Sequence, residues 1–85
     1  MTVILVKPHA EKRMAERGIR RYEVQAVILY PREKIDVRFG RIAVYGVMEG
    51  RQLVVIYEKR NEEIEVITTF WADKRRLKRL GFVGI

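Results

Sequence analysis

The chain has no cysteine and a single histidine, which removes whole classes of chemistry at the outset. Disulfides, thiolate metal sites and cysteine nucleophiles are excluded, and one histidine cannot build a multi-histidine metal centre within one chain. Long apolar runs are missing too. The opening Met1-Thr2-Val3-Ile4-Leu5-Val6 is apolar but too short for a signal peptide or a membrane span, which points to an intracellular, cytoplasmic protein. Asparagine and glutamine are scarce, whereas Arg, Glu, Lys and Ile are plentiful, a pattern common in thermophile surfaces. Acidic residues are outnumbered, eleven against eighteen Lys and Arg, leaving a formal charge of +7. For 85 residues, enough for one small domain with a modest core, that excess points to a polyanionic partner, most often nucleic acid. The competing explanation is a merely well-solvated surface.

The richest stretch is Lys7 to Ile19. Pro8 suits the first turn of a helix, and Gly18 suits its left-handed close. His9, Arg13 and Arg17 fall four apart and share a face, while Ala10 and Met14 form the adjacent apolar edge. A second helix is expected from Arg20-Arg21-Tyr22-Glu23, carried by Val24, Val27 and Ile28 and ended by Pro31.

Ahead of these, Thr2 to Val6 reads as a short β-branched strand. Beyond them the period drops from about 3.6 to 2. Strands are expected at 34–39, 42–48, 52–58 and 63–71, joined by short turns into an antiparallel meander. The third of these is apolar on both faces in its middle, as a central strand is. Asp73 is placed to cap a short basic helix over 74–80, anchored by Leu77 and Leu80 and stopped by Gly81. The expected fold is therefore α+β over residues 1–85. Two N-terminal helices cover one face of a four- to five-stranded, mainly antiparallel sheet, followed by the short basic helix.

The pattern His9-x-x-x-Arg13-Met14-x-x-Arg17-Gly18-Ile19, followed by Glu23-Val24 and later Val66-Ile67-Thr68, resembles a prokaryotic and phage family. Its members are small domains of unknown function that share the fold of RelE-like ribonuclease toxins and the BrnT toxin. The resemblance covers residues 9 to about 70 and implies a toxin-like RNA endonuclease, or a descendant without the activity. It also implies a partner antitoxin, with RNA or the ribosome as target.

Such an enzyme is cofactor-free. The RNA 2′-hydroxyl attacks the adjacent phosphate, and the protein moves the protons and neutralises the growing charge. Histidine is the side chain whose ordinary pKa lies near neutrality, so His9 is the candidate for proton transfer. Arg13 and Arg17 offer planar forks for phosphate. Tyr57 and Tyr45 are candidates to donate to a leaving group or to stack on a base, and Thr68 or Thr69 to orient a phosphate. Each has a structural counterpart: hydrogen bonding for His9, ion pairs for the arginines, packing for the tyrosines and threonines. Lys74, Arg75, Arg76, Lys78 and Arg79 put five cations in six positions, a phosphate-contact surface whose alternative is a solvated face. A non-catalytic basic RNA-binding or protein-interaction module is the second functional reading. An exposed sheet edge in such a module could also pair two copies.

Overall fold

The computed structural model describes residues 2–85. The chain runs β1 (Val3–Val6), α1 (Pro8–Arg17), α2 (Arg21–Leu29), β2 (Glu33–Val37), β3 (Arg41–Met48), β4 (Arg51–Arg60), β5 (Glu63–Ala72) and α3 (Lys74–Leu80). One sheet holds the strands in the order β1-β5-β4-β3-β2. The meander is antiparallel throughout, and β1 joins its β5 edge in parallel, with Val3 opposite Glu63 and Val6 opposite Val66. No helix among the described residues is long and apolar enough to cross a membrane.

The first helix closes as its sequence implies. Gly18 takes φ 65°, a left-handed conformation that glycine adopts without steric cost. This lets the Ile19 N–H reach the Met14 carbonyl at 2.9 Å and seats Ile19 in the core. The second helix is preceded by the cap residue Arg20, whose N–H donates to the Glu23 carboxylate at 2.9 Å. Glu23 is thereby buried at a helix N-terminus, where backbone N–H groups and the helix dipole favour an anion.

Ala10, Met14, Ile19, Val24 and Val27 pack with Val44, Leu53, Val55 and Val66 to form the larger core. Val27 lies directly over Gly46 of β3, so close that a Cβ there would sit 3.1 Å from Val27 Cγ2. Burying both faces of β4 requires a second layer, and α3 with the C-terminal Phe82 supplies it. Leu77 and Phe82 pack on Ala43, Tyr45, Val54 and Phe70, and the Tyr45 and Phe82 rings meet edge-to-face at 4.8 Å. The expectation of helical cover on one face thus becomes cover on both. The basic helix is a packing layer, not an appendage.

Two further departures matter for the site. The strand expected over 34–39 stops at Val37, and residues 38–41 form a tight hairpin turn, closed by the Arg41 N–H on the Arg38 carbonyl, in which Phe39 (φ 64°) and Gly40 (φ 68°) are both left-handed. The β4–β5 ladder shifts register between Ile56 and Tyr57. Ile56 lies opposite Thr68, but Tyr57 lies opposite Val66, leaving Ile67 as an extra residue on β5. Such a bulge resets which side chains face which way.

Candidate functional site: a basic cleft where the first strand leaves the sheet

β1 pairs only with residues 63–66 of β5, so from the bulge onward this edge of β5 has no neighbouring strand among the described residues. At that point the chain turns from β1 into α1 and carries Lys7 and His9 to the edge. The strand register supplies the rest. Glu58 lies opposite Glu65, and Arg41 begins β3 beside them. Lys7, His9, Arg41, Glu58, Arg60 and Glu65 line a cleft of about 290 Å³.

Its charges are organised in pairs. The Lys7 ammonium bonds Glu65. Arg41 Nε donates to Glu58 Oε1 at 3.1 Å, and Arg60 Nη2 lies 3.6 Å from Glu58 Oε2. The hydrogen bond from Lys7, aided by the fields of Arg60 and Arg41, holds the Glu65 carboxyl below its usual pKa, so it stays ionised at neutral pH. Three cations face two carboxylates, which leaves the cleft net positive around an exposed histidine. No three His, Asp or Glu side chains among the described residues converge closely enough to hold a metal ion.

The structure separates the residues singled out in sequence. His9 lines the cleft. Arg13 is exposed on the rim of α1 and pairs with Glu16 at 3.3 Å. Arg17 stays exposed but reaches β5, where its guanidinium donates to the Thr69 carbonyl at 2.7 Å. The Trp71 indole N–H returns a bond to the Arg17 carbonyl at 2.8 Å. Together these two bonds lash the end of α1 to the β5 edge that β1 leaves uncovered. Tyr57 is buried in the core beneath α1, and burial pushes its hydroxyl pKa up. Thr68 pairs with Ile56 and so projects toward the α3 side, across the sheet from Tyr57. Thr69 is fully buried and donates to the Val54 carbonyl at 2.7 Å, while Tyr45 packs under α3.

Lys74, Arg75, Arg76, Lys78 and Arg79 are all exposed on α3. Arg76 stacks its guanidinium 3.9 Å above the Phe70 ring, and its N–H takes the Asp73 cap at 2.9 Å. Arg79 leans toward the β2–β3 turn, where with Arg38, Phe39 and Arg41 it lines a second, open groove of about 610 Å³. Arg41 therefore borders both depressions. Lys7, Arg41, Glu58, Arg60, Glu65 and Phe39 carried no sequence signal as a set. They come from four separate segments, and only the sheet register brings them together.

The fold is shared with a ribonuclease toxin. The 1.1 Å crystal structure of BrnT from Brucella abortus matches with a TM-score of 0.70 at 17% identity, covering 87% of this chain and all of that one. No protein of curated function matches in sequence. A family model described as a domain of unknown function, DUF4258, matches residues 6–71, most of the 85 residues, and the chain belongs to that family.

Proposed function

We propose that the protein is a toxin-like, metal-independent RNA endonuclease whose reaction centre is the His9 cleft. The observation that carries this reading is the meeting of one exposed histidine with Lys7, Arg41 and Arg60 where β1 leaves the sheet. In the reaction, His9 accepts the 2′-hydroxyl proton as the 2′-oxygen bonds to phosphorus. Arg41 and Arg60 neutralise the charge building on the phosphoryl oxygens. The bond from phosphorus to the 5′-oxygen breaks, and Lys7 returns a proton to the departing oxygen. The products are a 2′,3′-cyclic phosphate and a 5′-hydroxyl. Arg13 and the α3 cations hold the flanking phosphates, while Arg17, Tyr57 and Thr68 serve the scaffold.

The second reading, a non-catalytic module binding RNA or another protein, is favoured by one feature. Both cleft carboxylates already engage the cations that a phosphate would need. Induced expression of wild type beside His9→Ala, with cleavage of unstructured RNA by the purified proteins, separates the two. Growth arrest and cyclic-phosphate ends that vanish in a folded His9→Ala variant are the expected result. Intact RNA, free or on translating ribosomes, with folded wild-type protein would leave the binding module standing.

A further inference from the structure

Phe39 has no packing reason to be where it is. It stands at the tip of the β2–β3 connection with 83% of its surface exposed. Its backbone is left-handed, φ 64° and ψ 29°, a conformation that is rare for a bulky residue. Glycine would sit there without strain. Exposure and strain both count against phenylalanine for folding, which turns attention to what the ring faces.

Around it lies an amphipathic groove. Val37, Ile56 and Leu80 line an apolar part, and Arg38, Arg41 and Arg79, from two separate parts of the chain, outnumber the one carboxylate, Asp36. The Arg41 guanidinium sits 5.7 Å from the Phe39 ring centroid. A flat aromatic face beside guanidinium groups, over an apolar wall, is the combination that holds an unpaired nucleobase and its phosphates. The groove volume of about 610 Å³ suits one nucleotide. Arg41 lines this groove and the His9 cleft alike, so the two depressions adjoin at its side chain.

We infer that Phe39 and the groove it shares with Arg38, Arg41 and Arg79 form a subsite that stacks one unpaired RNA base next to the His9 cleft. This inference rests on RNA being the ligand of the cleft, the reading proposed above. A π-face accepts any base, so the subsite selects single-stranded over paired RNA and not one base over another. A duplex cannot offer a face to the ring without unstacking.

The test uses the full chain carrying His9→Ala, so that RNA is bound without being cut. The probe is a short unstructured oligoribonucleotide containing 2-aminopurine, whose fluorescence reports stacking, with a blunt RNA duplex as control. Phe39→Gly suits the local backbone and should melt no lower than its parent. It is expected to bind the single strand roughly tenfold more weakly, to lose the stacking signal and to leave duplex binding unchanged. Phe39→Trp should restore both affinity and signal. Equal single-strand affinity for Phe39→Gly and its parent would overturn the subsite while leaving RNA binding intact. Equal losses for single strand and duplex would overturn base stacking as well. Loss of self-association in Phe39→Gly, with RNA affinity intact, would reassign the ring to protein contact. Absence of RNA binding by the parent at low salt would remove the cleft reading and the subsite together.

Discussion

Arg17→Ala separates a scaffold role from a role at the RNA. In the structure the Arg17 guanidinium donates to the Thr69 carbonyl at 2.7 Å, and Thr69 is fully buried on a strand edge without a neighbouring strand. A hydrogen bond from a charged donor contributes about 1.5–3 kcal/mol. Arg17 itself is exposed, so solvent screening and replacement by water place the loss near the lower figure, about 1.5 kcal/mol. In a domain of this size that lowers Tm by roughly 6–12 °C. The Trp71 bond goes to the Arg17 backbone and survives the substitution. Thermal melts by circular dichroism, paired with RNA cleavage well below the melting range, read both properties. The expected variant is less stable but still active. A variant that melts within about 2 °C of wild type and has lost cleavage would refute the reasoning and return Arg17 to the phosphate-binding row.

Leu77 is fully buried under the basic helix, so Leu77→Ala should cost about 2–4 kcal/mol by denaturant titration; a loss under about 1 kcal/mol would show that α3 is not a packing layer. Lys7→Met should raise the Glu65 pKa toward the ordinary glutamate value, followed by NMR titration of the carboxyl carbon. Because the folded pKa is depressed, the pair's contribution to stability is present above the unfolded pKa, about 4.3, and is lost as pH falls through the folded one. An unchanged Glu65 titration would break the Lys7–Glu65 assignment. If α3 binds phosphates, neutralising Arg75 and Lys78 together should make the slope of log affinity against log salt shallower. On single-stranded RNA the change should be about 0.7 for each phosphate that the variant no longer neutralises. An unchanged slope would make the run a solvated face.

The stretch from His9 to Val24 reads differently once folded. Met14 and Ile19 fill the core, Gly18 turns the chain, Glu23 caps the next helix and Arg17 ties α1 to β5. Most of this stretch therefore serves folding, and of His9, Arg13 and Arg17 it is His9 that lines the cleft. A periodicity argument places His9, Arg13 and Arg17 on one stripe, but side-chain length and the position of the neighbouring edge decide where each one ends.

By itself the sequence determined the elements. Hydrophobic period, Pro8, Gly18, Pro31 and the Asp73 cap are local signals, and local backbone physics reads them one segment at a time. The central position of β4 was legible for the same reason, since Leu53, Val54 and Val55 leave it no polar face. Tertiary structure decided the rest. The parallel seat of β1 beside β5 depends on which sheet edge α1 and α2 leave reachable. Cover on the second face depends on where α3 returns. The bulge at Ile67 and the left-handed turn at Phe39 are single-residue events with no periodic trace. The cleft is assembled from those choices, because Lys7, Arg41, Glu58 and Glu65 become neighbours only through the pairing of strands far apart in the chain.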